Sequence, residues 1–536
     1  MNISRVFTNI ISEPELVWSK LGKKWNRQFK TALFTFIFGI IVYIQMITEW
    51  LANPDGIWAG VLYKGSYGWE DSLGRIGLRV YNRLKGYFQF PTLQTFLCFF
   101  ILAIITVLLL ETFNVHQQMW GLLLGGLMVC SPYICDLLTY YYTSDAYMIA
   151  YLFSVLFVYI LTKHRKLWNF ILAVFMLASS LTLYQAFLGT CITLCLIYLL
   201  YRLIKKGDSW KEVLLQGGYF LAGGGLGTLL YLLAYRLYCN WKNIQPTEAR
   251  GFASMGIIPH EKIFELIKQT YIFFNDYYFT DNLYNNSWHS RKQCNILVFA
   301  TVAVMIIVIL WKKRSDIQTI ILVSMGLMIL PLCFMSIVVL APEVSITGVT
   351  GILMLPHMNF IYLFLIVLVA GESDGIVQII WGKWMTFALS AYLIFILVLY
   401  VEIFQNCMRM DLNRNYALAQ HIVIQLEELP EHYSGMKIMI GGDAKNGNYP
   451  RDYQDWYAVV DGTIAEYGFF WDSLNGRQAC WTRFIGNYLG ITYRSCDVEE
   501  VKEIMSSEEY AAMSFFPEQD SVRMIGDCAV VKLSDD

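Results

Sequence analysis

The chain has 536 residues, of which 56 % are hydrophobic, 16 % aromatic and only 15 % charged. Its mean hydropathy is +0.46 and its formal net charge is −2. Charged residues fall well below the roughly 25 % of an average soluble domain, which excludes a soluble enzyme, a disordered chain and a nucleic-acid binder with a broad basic surface.

In chain order, residues 1–30 read as a cytoplasmic basic amphipathic segment carrying Lys20, Lys23, Lys24, Arg27 and Lys30. The first apolar run is too long for a signal-peptide core and reads as a retained span. A crossing needs about 20 apolar residues. Eleven runs are candidates, near 31–51, 92–112, 118–135, 146–162, 167–183, 186–204, 213–238, 295–311, 317–340, 352–370 and 382–403. Only Tyr184-Gln185 separates the fifth from the sixth.

Lys and Arg in short loops mark the cytoplasmic side. They gather in the N-terminal segment, in Lys163-His164-Arg165-Lys166, in Arg202, Lys205, Lys206 and Lys211, and in Lys312-Lys313-Arg314. Eleven spans with a cytoplasmic N-terminus place all four clusters on that side. The exoplasmic side then receives loops 52–91 and 239–294 and the tail, 405–536. The expected fold is a polytopic α-helical membrane protein of about eleven transmembrane helices, its membrane domain at 31–404, with a small C-terminal exoplasmic α/β domain. In that tail Asp411–Leu429 has helical periodicity, Met436–Ile440 reads as a strand ending at Gly441-Gly442, and Ala529–Leu533 as a terminal strand. The twelve cysteines lie mostly in apolar runs with no C-x-x-C pair or His/Cys ligand spacing, so neither a zinc site nor a disulfide framework is expected. Of Cys480, Cys496 and Cys528 in the tail, one pair can form a disulfide.

The first exoplasmic loop carries the sharpest signal. Asp55 follows the first span within Asn53-Pro54-Asp55-Gly56, and Trp69-Glu70-Asp71 precedes Gly74-Arg75. Arg75, Arg79 and Arg83 recur every four residues and share one face of a helix. Such a row pairs with a phosphate or pyrophosphate through its guanidinium forks, or snorkels to lipid headgroups. A nearby carboxylate can take a proton from a hydroxyl nucleophile. If the donor were a sugar on a lipid phosphate, the phosphate would leave without a general acid. One base and one cationic clamp would then suffice for an inverting displacement, unlike the paired carboxylates of a glycosidase. Glu70 and Asp71 also read as helix N-terminal charges, and Asp55 as a turn residue.

Elsewhere, Tyr140-Tyr141-Tyr142 reads as an interfacial aromatic belt or as a donor or acceptor contact. Gln185, at membrane depth, lines a cavity or bonds another helix. Ile272–Phe279 and Asn285–His289 supply aromatic and amide groups that suit sugar rings, or an interfacial helix. Arg250 adds a cation near that mouth. Glu343 lies near the exoplasmic side, and Glu372 and Asp374 on the cytoplasmic one.

The order of these features resembles the GtrII-type glucosyltransferases, within the GT-C membrane glycosyltransferases. The resemblance rests on Asn53 and Asp55 after span one, on Trp69 followed by Gly74-Arg75, on Tyr140 to Asp145, on Tyr184-Gln185 at a span end, and on the tail. The family often has two consecutive Asp in its first motif; here Gly56 takes the second place, leaving Asp55 as the catalytic candidate. His357, in the Pro356-His357-Met358 turn, stands near where a basic residue is expected.

The resemblance implies a polyprenyl-phosphate-linked sugar donor, with glucose as the sugar, and a cell-envelope glycan acceptor, as in O-antigen modification. It places the reaction on the exoplasmic face of a bacterial-type inner membrane. Asp55 becomes the base. Arg75, with Arg79 and Lys64, binds the donor phosphate. Glu70, Asp71 and Asp145 are further site acids, and Trp69, Tyr184, Gln185, Tyr142 and His357 are sugar or acceptor contacts. No organic cofactor is called for, and a divalent cation is left open. Rival functions are a transporter or flippase of a lipid-linked glycan and a protein-modifying GT-C transferase. The spans carry few ionisable residues to mark a transport path.

Overall fold

The computed structural model describes residues 26–64, 68–163, 165–247, 256, 260–280, 289–342, 351, 354–371, 379–444, 446–448 and 474–535. Most of residues 1–30, together with Arg250, Asn285 to Trp288, Glu343, Glu372 and Asp374, lie outside them.

Helix α1 (Asn26–Val42) is the first apolar run. Tyr43, at φ −109° and ψ 30°, interrupts it before the short α2 (Ile44–Thr48). The first loop holds α3 (Pro54–Ala59), α4 (Trp69–Ser72) and α5 (Ile76–Leu84), and a bridge between Leu62 and Phe88 ties its two arms together. There follow α6 (Pro91–Thr112), α7 (Gln118–Val129), α8 (Pro132–Thr139), α9 (Ser144–Lys163), α10 (Leu167–Leu183) and α11 (Phe187–Tyr201). A π turn, Arg202–Lys206, extends α11 until Gly207 ends it. Next come α12 (Trp210–Lys242), α13 (Ile263–Phe279), α14 (His289–Lys313), α15 (Ile317–Phe334), α16 (Ser336–Leu340), α17 (Phe360–Ala370) and the 48-residue α18 (Ile380–Glu427).

Among the described residues, seven helices are long and apolar enough to cross a membrane: α6, α9, Phe187–Lys206, α12, Arg291–Lys313, α15 and α18. The pair α7 and α8, bent by 48°, makes up to an eighth. Pro132 opens α8, and Ser131 before it is extended, as a residue preceding proline prefers. Helices α10 and α17 are apolar but shorter, and α1 has 17 residues. Eleven runs in the sequence thus become seven long apolar helices and several shorter or broken ones. The first helices pack closely through small residues. A Cβ on Gly125 would lie 2.4 Å from the Thr35 hydroxyl and one on Gly121 2.6 Å from that of Thr31, so α7 meets α1 at nearly backbone distance.

The tail contains β1 (Lys437–Gly441), α19 (Leu474–Phe484), β2 (Arg494–Ser495), α20 (Val498–Met505), α21 (Glu508–Ala511), β3 (Val522–Ile525) and β4 (Cys528–Lys532). Its sheet has the order β2-β1-β4-β3, with β1 parallel to both neighbours and β3 antiparallel to β4. The central parallel strands read Ile438-Met439-Ile440 and Ala529-Val530-Val531, all fully buried, because both faces of such strands are covered. Cys496 and Cys528 form a disulfide, and Cys480 remains a thiol. Helix α18 runs from the last apolar run directly into the tail. The tail also returns to the first loop. The Cys480 thiol lies 3.6 Å from the Pro54 carbonyl, and the Tyr488 hydroxyl donates to the Trp50 carbonyl.

Candidate active site

Helix α3 is set by its cap. The Asn53 Oδ1 accepts from the Gly56 amide at 2.7 Å, with Pro54 at the first helical position. The Asn53 amide donates to the Thr139 carbonyl at 3.2 Å, which fastens α3 to the end of α8. Asp55 therefore sits in a first helical turn, half-buried, where unpaired amides favour a carboxylate. The buried Asn53 Nδ2 has no hydrogen-bond partner among the described residues.

Arg75 does not form a helix row with Arg79 and Arg83. Gly74 takes the left-handed conformation at φ +75°, and Arg75, at φ −91° and ψ 45°, stays outside α5. Its side chain turns inward. Nη1 donates to the Tyr147 hydroxyl at 2.9 Å. The guanidinium lies 4.6 Å from the Tyr184 ring centroid, and Tyr147 and Tyr184 stack at 4.4 Å, 10° from parallel. Its Nε–H is buried with no hydrogen-bond partner among the described residues. Burial opposes the positive charge, but Tyr147, Tyr184, Tyr142 and Glu70 outweigh it and raise the pKa, so Arg75 is a fixed cation. Arg79 instead pairs with Asp71 at 2.8 Å, and Arg83 is exposed.

Tyr142 links the two halves of this site. Its ring lies 4.6 Å from that of Tyr63. Burial first, then the charge of Asp55 and lesser contributions that include Glu70, push its phenol well above the ordinary range. Asp55, Glu70, Tyr142, Tyr147, Tyr184 and Arg75 thus make one neighbourhood. Tyr140 and Tyr141 are buried in protein, which corrects the belt reading for them: they pack beneath the loop rather than against headgroups.

The other acids have assigned partners. Asp145 is buried and accepts from the Tyr81 hydroxyl at 2.9 Å, from the Lys85 ammonium at 3.0 and 3.1 Å, and from the Ala146 amide at 2.9 Å. Asp71 is held by Arg79 and by the Tyr238 hydroxyl at 3.3 Å. Burial raises its pKa most, while Arg79 and Tyr238 pull it back. Gln185 donates to the Leu73 carbonyl at 2.9 Å and to the Tyr231 hydroxyl at 2.8 Å. Tyr231 donates in turn to the Gly74 carbonyl at 3.3 Å, and Tyr235 to that of Ser72 at 3.0 Å. These bonds fix the turn that aims Arg75.

Lys64 is exposed, and Trp69 is 43 % exposed at the loop edge. His357 is buried within the bundle, with Nε2 2.8 Å from the Phe334 carbonyl and Nδ1 3.4 Å from the Thr190 hydroxyl. Both partners belong to the helix bundle and not to the first loop. In α13, Phe274, Tyr277 and Tyr278 face the core, where Phe274 and Tyr278 pack on Phe299 and Phe334. They are packing residues rather than a sugar platform. Among the described residues no group of three or more His, Cys, Asp or Glu side chains is placed to hold a metal ion.

Sequence reasoning missed Tyr63, Tyr81, Lys85 and Tyr147, whose partners lie in distant segments. It could have found Tyr231, Tyr235 and Tyr238, whose spacing of four and three puts them on one helix face.

No curated protein and no solved structure matches the chain. A family model for Glucosyl transferase GtrII matches residues 63–370, more than half of its length, and the chain therefore belongs to the GtrII glucosyltransferase family.

Proposed function

We propose that this glycosyltransferase moves glucose from a polyprenyl-phosphate donor to a cell-envelope glycan on the exoplasmic face, with inversion at the anomeric carbon. Asp55 takes the proton of the acceptor hydroxyl. The hydroxyl oxygen bonds to the anomeric carbon as the bond to the donor phosphate breaks, and the electron pair leaves with polyprenyl phosphate. Arg75 holds that phosphate throughout. Arg79 and Lys64 stand at the rim as further cations, and Trp69, Tyr142, Tyr184 and Gln185 border the sugar. Asp71, Asp145 and Glu70 shape the loop rather than react.

The observation that carries this reading is the inward-turned guanidinium of Arg75, half-buried with its Nε atom enclosed. It is wrapped by Tyr147 and Tyr184, keeps one N–H without a partner among the described residues, and shares Tyr142 as a neighbour with Asp55. A buried donor left unpaired costs about 1–3 kcal/mol, which a phosphate oxygen would recover. The orientation is supported by the four Lys/Arg clusters and by the tail disulfide, which suits an oxidising compartment.

The test is Asp55→Asn in detergent, with polyprenyl-phosphate glucose as donor and release of polyprenyl phosphate as readout. Turnover should fall by about 10²–10⁴-fold, the usual share of a general base, with donor affinity retained. Turnover within threefold of the parent refutes the base assignment. A flippase would give no covalent product in this assay at all.

A further inference from the structure

We infer that the membrane surface opposite Arg75 carries a separate site for a phosphate-bearing anionic lipid headgroup. Helix α12 fixes the separation. Tyr235, near its C-terminal end, bonds the Arg75 turn, while its N-terminal end at Trp210 lines a cavity of about 760 Å³. Twenty-five residues of helix rise place the two about 37 Å apart, more than the roughly 30 Å hydrocarbon layer.

The cavity lies between the end of α11, the start of α12 and the turn joining α14 to α15. Three lysines line it, Lys206, Lys211 and Lys313, with the hydroxyls of Ser209, Ser315 and Thr319. The acids at its rim have other duties. Asp208 pairs with Arg202, and Asp316 caps the Thr319 amide at 3.3 Å. Among the described residues the lining carries three lysines against two carboxylates, one of them paired with Arg202 and with Lys313 also donating to the Lys205 carbonyl, so its net charge is positive, and ammonium groups beside hydroxyls suit phosphate oxygens.

A second feature identifies the bearer of that phosphate. At Ser315 the basic cavity meets an adjoining groove of about 660 Å³, whose apolar lining of Ile307, Leu310, Trp311 and Ile320 is joined by Lys312 and Arg314. Trp311 is 77 % exposed and lies beside Lys312, as an aromatic anchor at an interface does. A cationic chamber opening onto an apolar groove fits a charged head with an acyl chain. A free anion would use only the chamber. Basic pockets between helices at a membrane surface bind anionic lipid heads in this way.

The test uses the full chain in a neutral detergent and short-chain phosphatidylglycerol, followed by native mass spectrometry. Matched phosphatidylcholine and inorganic phosphate serve as the other arms. Phosphatidylglycerol should bind saturably, phosphatidylcholine at least tenfold more weakly, and inorganic phosphate should not displace the lipid at equal concentration. Lys206→Gln and Lys211→Gln should each weaken binding about fivefold, and Lys206→Arg should retain it. Lys166→Gln removes a charge from the same membrane surface outside the cavity and should change nothing. Equal binding of phosphatidylcholine, or equal weakening by Lys166→Gln, overturns the site. Displacement by inorganic phosphate overturns the lipid and leaves a soluble anion. Thermal midpoints of the variants identify any that misfold; Lys211, exposed on the first turn of α12, provides the variant least coupled to packing.

Discussion

Replacing Arg75 by lysine keeps a positive charge and removes the planar fork. Beyond the Nη1 bond to Tyr147, that fork has two features that lysine lacks. One is the stack over Tyr184 at 4.6 Å, of a kind that contributes about 0.5–2 kcal/mol. The other is the Nε–H, buried with no partner among the described residues. Offered to a phosphate, it makes a charge-assisted bond of about 1.5–3 kcal/mol. Lysine at this position should therefore lose about 2–3 kcal/mol of donor binding, or roughly 30- to 150-fold in kcat/KM. The loss should fall mainly on donor KM, because the phosphate is held before as well as during transfer. Arg75→Ala should lose about 2–5 kcal/mol, since it also removes the bond to the Tyr147 hydroxyl. Arg83→Ala, on the exposed side of α5, should stay within about twofold. The assay is release of polyprenyl phosphate at varied donor concentration, alongside thermal unfolding of each variant. If Arg75→Ala and Arg83→Ala differ by less than threefold in donor KM, Arg75 is not the phosphate ligand.

Lys85→Met should destabilise the protein by about 2–4 kcal/mol, because among the described residues it leaves the buried Asp145 carboxylate with Tyr81 and the Ala146 amide and no cation; an unchanged thermal midpoint would remove that ion pair from the account. Cys496→Ser should loosen the tail by about 3–4 kcal/mol, from a loop closed over 32 residues. Limited proteolysis should then cut the tail while leaving the long helices intact, and equal resistance would contradict it. Asp71 has its pKa raised, by burial above all, so its charged form costs stability at neutral pH. That cost disappears as pH falls through the raised value. Between pH 7 and pH 4 the parent should gain stability relative to Asp71→Asn, as read from urea midpoints, and a constant difference would be against the assignment.

The helical architecture was legible because apolar runs of sufficient length are a one-dimensional signal. The strands Lys437–Gly441 and Cys528–Lys532 were legible to within a residue or so, because buried parallel strands are continuous apolar runs. The Arg row was misread for a local reason. Spacing alone does not reveal that Gly74, in the left-handed region, turns the chain just before Arg75, so it places the helix start one residue too early. Asp145 could be singled out as a site acid, yet its partners Tyr81 and Lys85 lie 64 and 60 residues away. No periodicity spans that distance. The tyrosines were ambiguous for a chemical reason: a phenol suits a headgroup layer, a sugar ring or a buried hydrogen bond equally well, and only the fold decides.

The contact between the tail and the helix of Asp55 has a bearing on biosynthesis. Cys480 and Tyr488 reach Pro54 and Trp50 across 426 and 438 residues of sequence. Every long apolar helix is thus synthesised before the segment that packs on the Asp55 turn. A product truncated after α18 would carry the long apolar helices and still lack that contact, so the turn proposed to hold the base is covered only when the later tail segment emerges and docks.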